Sequence, residues 1–101
     1  MWVMVMFDLP VLTKEQKRRY ARFRKLLLQD GFDQLQYSVY ARPCPSEENA
    51  AVHRKRIEDK VPVEGQVRIL QFTDKQFERM EVFYGKLRVD PEEPPEQLTF
   101  F

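Results

Sequence analysis

Residues Trp2-Val-Met-Val-Met-Phe7 are apolar at every position, so both alternating faces of this stretch are hydrophobic. That is the pattern of a central strand covered on both sides. The next apolar positions recur at helical rather than strand spacing. In Thr13-Lys-Glu-Gln-Lys-Arg-Arg-Tyr-Ala-Arg-Phe-Arg-Lys-Leu-Leu-Leu-Gln-Asp-Gly31, Tyr20, Phe23 and Leu27 line one face, with Gln16 a turn before. At about 100° per residue, Lys14, Arg18, Arg22 and Lys25 fall on the opposite face. Thr13 with Gln16 three positions on is a capping-box start, and Gly31 is a natural stop.

From Phe32 to Arg42 the period changes to two. Leu35, Tyr37, Val39 and Ala41 fall on one side, and Gln36, Ser38, Tyr40 and Arg42 on the other. With no glycine or proline near Tyr37-Ser38, pattern alone predicts one long strand there, although two short strands bent at that point are the alternative. Pro43 and Pro45 end it. Ser46 with Glu47 and Glu48 opens a second helix to about Lys60, striped by Ala50, His53, Ile57 and Val61 and stopped by Pro62. Pro-Val-Glu-Gly is a turn, Gln66 to Thr73 is a third strand region, and Thr73 with Gln76 caps a short helix. Val82 to Gly85 reads as a short strand. The order predicts an α+β fold, a ferredoxin-like βαββαβ sandwich with helices on one face of a largely antiparallel sheet. That topology requires the middle strand region to be a pair.

The composition changes once more at Asp90. Residues 1–89 form the ferredoxin-like domain, and residues 90–101, rich in proline and glutamate, form an extended C-terminal arm. Its last residues, Leu98-Thr-Phe-Phe101, need a surface to cover them.

A chain of 101 residues buries roughly 60 to 70% of its unfolded surface, enough for one two-layer core. Little is left for a deep private cleft, so a catalytic site would draw on a second copy. The net charge of +1 predicts no polyanion partner. Its distribution does: residues 1–42 carry eight Lys/Arg against four Asp/Glu, whereas residues 66–101 carry five against seven. The lone Cys44 excludes an internal disulfide and a cysteine-built metal site. The first apolar run has no basic leader and is too short to span a membrane, so a soluble, cytoplasmic chain with no membrane partner is expected.

No glycine-rich phosphate loop, zinc helix or nucleophile elbow is present. His53 lies on an apolar stripe, where packing and hydrogen bonding are its expected role. Asp8 admits two readings. Asp-Leu-Pro can be a turn whose carboxylate bonds downstream amides. Alternatively Asp8 is a hard-cation ligand, since magnesium is held by as few as one or two carboxylates together with water and substrate phosphates. One acid per chain is thin for that purpose, and two copies across a dimer axis would supply two. The basic helix face, with Arg18, Arg22 and Lys25 and no acid among its middle charges, fits a phosphate backbone. Tyr40 and Arg42 on the strand offer a stacking surface and a further phosphate contact, or Tyr40 is half-buried in an interface.

Taken in order, Val-Met-Phe-Asp-Leu-Pro, the basic helix, Leu-Gln-Tyr-Ser-Val-Tyr-Ala-Arg, Val-Pro-Val-Glu-Gly-Gln-Val-Arg-Ile-Leu and Thr-Asp-Lys-Gln-Phe-Glu-Arg-Met resemble the small CRISPR-associated endonuclease family. This is the smaller subunit of the spacer-acquisition machinery, and the likeness is strongest to members of single-effector systems. It covers roughly residues 1–90. The resemblance implies a ferredoxin-like homodimer with facing sheets, each C-terminal arm adding to the partner's sheet. It implies a metal-binding, catalytic acid at Asp8, with Mg2+ or Mn2+, acting as an endonuclease on RNA or double-stranded DNA. It also implies a dimer that bridges integrase dimers and holds DNA through Arg18, Arg22 and Lys25. Phe7 stands where many relatives have tyrosine. The alternatives are a non-catalytic nucleic-acid-binding scaffold or a toxin-type ribonuclease of the same fold.

Overall fold

Residues 1–94 are described by a computed structural model of the chain. The order is β1 (Trp2–Asp8), α1 (Lys14–Gln29), β2 (Asp33–Gln36), β3 (Val39–Pro43), α2 (Glu47–Glu58), β4 (Gln66–Phe72), α3 (Asp74–Glu78), β5 (Val82–Tyr84) and β6 (Leu87–Val89). The first four of these strands form one antiparallel sheet in the order β2-β3-β1-β4, the ferredoxin-like arrangement. β1 is central, as its two apolar faces predict. The expected arm of residues 90–101 is described only to Pro94, and its Leu98–Phe101 end lies outside the described residues.

The principal core lies between the sheet and helices α1 and α2. Val3, Val5 and Phe7 meet Phe23, Leu27, Tyr40, Ala50 and Ile57 there. Phe7 sits edge-on to Phe23 and is stacked on Tyr40, so three rings fill the centre with the T-shaped and offset contacts aromatic pairs favour. Among the described residues, helix covers the other face of the sheet only at one end. There Trp2 stacks on Phe77 of α3, with Ala41 beneath. The short helix therefore lies on the face opposite α1 and α2, and not with them. Beyond it, Met4, Met6, Leu70 and Val39 floor an apolar groove of about 640 Å3, walled on one side by the β5–β6 hairpin.

Helix ends follow local chemistry. Thr13 and Gln16 cap α1 reciprocally, and Thr73 and Gln76 repeat the device on α3. At the far end of α1, Gly31 takes φ +86°, its N–H donates to the Leu28 carbonyl, and Phe32 donates to the Leu27 carbonyl. This is a Schellman stop.

Residues 32–42, which pattern alone reads as one strand, are the two short strands that the βαββαβ topology requires, bent at Tyr37-Ser38. Ser38 adopts φ +60° and its carbonyl accepts from the Phe7 N–H, which turns the chain without glycine or proline. Tyr40 and Ala41 are both buried, at 0% and 1% exposure, because Tyr40 packs in the helix-side core and Ala41 lies with Trp2 and Phe77 on the other face. Tyr40 is thus a core residue and not a stacking surface.

Candidate metal and nucleic-acid sites

Asp8 ends β1, pairing across from Gln66 of β4, and its side chain is exposed. Strand alternation puts it on the sheet face of Met4 and Met6, away from α1 and α2. The turn reading fails on its hydrogen bonds. The amides of Leu12 and Thr13 donate to the Gln16 carboxamide, and among the described residues the Asp8 carboxylate has no hydrogen-bond or ion-pair partner. The chain just beyond Asp8 is anchored. Leu9 is buried, and Gly65, at φ +85°, lies so close that a Cβ there would stand 2.6 Å from the Asp8 carbonyl oxygen. Next to Gly65, Glu64 pairs with Arg19 and accepts from Gln16 of α1. Sequence reasoning missed this brace. The turn-forming Gly65 was visible, but nothing in the pattern links residues 45 positions apart.

Arg18, Arg22 and Lys25 form an exposed row along the outer side of α1. Arg18 has only a loose 3.8 Å pairing with Glu15. Arg22 and Lys25 have no acidic partner among the described residues. The row lies on the helix layer and Asp8 on the opposite face, so one chain does not bring the two together. Arg42, expected to join the cations, has other work: its Nη1 donates to the Asp30 carbonyl at 2.7 Å, half-buried over Gly31. It supports the C-terminus of α1 instead of facing solvent.

His53 is structural, as expected from its stripe. Its Nδ1 lies 2.7 Å from one Asp30 oxygen, while Arg56 donates to the other at 2.8 Å. Burial alone would raise the Asp30 pKa. The hydrogen bonds and charges of His53 and Arg56 outweigh it and hold the carboxyl below its ordinary range. Cys44 is buried in the loop after β3, and that burial pushes its thiol up, away from the reactive thiolate.

At the β2–β3 turn, Tyr37 is 77% exposed. Its ring stacks on Tyr20 of α1 at 6.4 Å, and the Tyr20 hydroxyl lies 3.3 Å from Ser38 Oγ. The neighbouring Tyr20 phenol pushes the Tyr37 pKa up. The single-strand reading hid this residue by placing it beside Leu35 and Val39.

Among the described residues no three His, Cys, Asp or Glu side chains converge as a metal site. No helix there is long and apolar enough to cross a membrane. Several known proteins are similar over the whole length. The CRISPR-associated endoribonuclease Cas2 of Parvibaculum lavamentivorans is 54% identical over all of both chains. That of Flavobacterium psychrophilum is 48% identical over all of this chain and 88% of its own. The crystal structure of Streptococcus pyogenes Cas2 at pH 6.5 superposes with a TM-score of 0.63 over 83% of this chain and all of that one, at 19% identity, which supports the fold. The family model described as CRISPR associated protein Cas2 matches residues 1–80, and with the full-length relatives it shows that this chain belongs to the Cas2 family.

Proposed function

We propose that the chain is a CRISPR-adaptation subunit that works as a symmetric pair and hydrolyses phosphodiesters at a site built from two Asp8 carboxylates. The observation that carries this reading is Asp8 itself: an exposed acid with no partner among the described residues, ending the central strand on the face that α1 and α2 leave open. Two such faces packed together would cover the apolar groove over Met4, Met6 and Leu70 and set one acid from each chain near the shared axis. The relatives are named endoribonucleases, which favours RNA as the substrate class, with double-stranded DNA second.

The donor set fits Mg2+ or Mn2+. A lone carboxylate per chain, with no histidine or thiolate beside it, suits a hard cation that keeps several waters and not zinc. Such a cation, when bound, supplies an activated water and neutralises charge on the phosphate. Asp8 holds its position through main-chain pairing to Gln66, the buried Leu9 behind it and the Gly65 contact. Precise placement matters because a site shared between chains depends on both being aligned.

A second role is supported by the cation row. Arg18, Arg22 and Lys25 cover about 10 Å of helix and track a phosphate backbone without reading bases, as a scaffold that holds DNA and bridges integrase dimers requires. Because that row is a layer away from Asp8, the two roles separate cleanly. Asp8→Asn is expected to abolish magnesium-dependent cleavage while the dimer and DNA affinity persist. Arg18→Glu with Arg22→Glu is expected to weaken DNA binding and flatten its dependence on salt. Cleavage that survives in Asp8→Asn ends the hydrolytic reading, and an unchanged salt slope ends the scaffold reading of this face.

A further inference from the structure

A tyrosine at a turn tip, with most of its surface in water, departs from the small polar residues that turns favour. Tyr37 nevertheless packs back onto the fold. Ser38, forced to φ +60°, accepts from the Phe7 N–H at 3.1 Å, and its hydroxyl meets Tyr20. The Tyr37 ring lies on Tyr20 with 24° between planes, and Tyr20 in turn sits edge-on to Phe7 at 5.7 Å. One end of this aromatic ladder is therefore in the core and the other is in solvent. Lys17 and Arg24, at i−3 and i+4 from Tyr20, share the flank of α1 that carries that residue. Both are exposed, and among the described residues neither has an acidic partner. The anchoring residue, Phe7, immediately precedes Asp8, so the ladder stands beside the strand end that carries the candidate acid.

An exposed ring stacked on one side, beside a helix flank that carries unneutralised cations, matches the chemistry of a nucleotide whose base is unpaired. A base in a duplex keeps both faces covered by its neighbours, and an acidic peptide would use the cations but not the ring. We propose that Tyr37 is a stacking platform for an unpaired base of single-stranded nucleic acid, with Lys17 and Arg24 taking the adjoining phosphates. The platform gives the chain a preference for single strands that the Arg18, Arg22 and Lys25 row, reading only backbone charge, does not supply. The inference rests on the reading of this chain as a nucleic-acid-binding subunit and adds to it a subsite and a strand preference.

The test uses the full chain carrying Asp8→Asn, without added metal, so that binding is read apart from cleavage. Fluorescence anisotropy follows a labelled RNA of about 12 nucleotides, within the site size of a small single-strand binder, its DNA counterpart and the corresponding DNA duplex. Tyr37→Ala is expected to weaken single-strand binding about tenfold, within the range of one lost base stack, while duplex affinity stays within about twofold. Tyr37→Phe and Tyr37→Trp keep the ring and are expected to retain affinity. Lys17→Gln and Arg24→Gln should each lower the single-strand salt slope by about 0.7. Circular dichroism confirms that the exposed-site variants stay folded. Equal losses on single strand and duplex, no loss in Tyr37→Ala, or a loss in Tyr37→Phe as large as in Tyr37→Ala would each overturn the platform. Failure of the parent Asp8→Asn chain to bind either probe would instead overturn the nucleic-acid reading beneath it.

Discussion

Gly65→Ala is the sharpest perturbation of the Asp8 strand end. Two costs add. At φ +85° an alanine leaves the comfortable backbone regions, at about 1–2 kcal/mol. The new methyl would also stand 2.6 Å from the Asp8 carbonyl oxygen and 3.0 Å from Leu9 Cα, both backbone atoms at the end of the central strand. Neither can rotate away, so the strand end must shift, adding about 1–3 kcal/mol of overpacking. The sum is about 2–5 kcal/mol, a large part of the stability of a domain this size. Gly85 supplies the control. It has φ +61° in the β5–β6 turn and nothing within 4 Å of an added Cβ, so Gly85→Ala carries the conformational cost alone. Urea unfolding of both variants at one protein concentration gives the comparison, because self-association would otherwise move the midpoints. Gly65→Ala should lose at least about 1 kcal/mol more than Gly85→Ala. Equal losses would refute the claim that Gly65 holds Asp8 in place by contact.

Two further outcomes concern the core. Asp30 has a folded pKa below its unfolded value, so its contribution is complete above the ordinary carboxylate range and is lost as pH falls through the lowered folded value. Stability measured from about pH 6 to about pH 3 should therefore decline less steeply at the acid end in Asp30→Asn than in the parent, and parallel profiles would refute the clamp. The Tyr40 hydroxyl is buried without a partner among the described residues, so Tyr40→Phe should leave stability unchanged or raise it by about 1 kcal/mol in the same urea assay. A loss of that size would mean that the hydroxyl is satisfied.

Local chemistry made much of the fold readable. The capping boxes at Thr13 and Thr73, the stop at Gly31 and the stripe of Ala50, His53 and Ile57 each involve residues within a turn or two of one another. The β2–β3 bend follows from the topology but not from local pattern, because it is imposed from elsewhere: by Phe7 bonding to Ser38 and Tyr20 packing on Tyr37. Alternation correctly separated Tyr40 and Arg42 from Val39 and Ala41. It misjudged their surroundings, since the rule assumes one wet face and β3 has none at that point. β6 was overlooked although Gly85 marks its turn. For the site, the acid and the cation row stood out as residue types in a pattern. Their placement on opposite layers, the Glu64–Arg19 brace and the capture of Arg42 by Asp30 depend on contacts between distant segments, which no spacing rule encodes.

The sheet standing between Asp8 and the α1 cations makes the two surfaces independently heritable. A lineage can lose the acid through one codon change and keep the cation row, or remodel the helix face without touching the strand end. Sequence divergence on one side therefore says nothing about retention of the other, and each calls for its own evolutionary history.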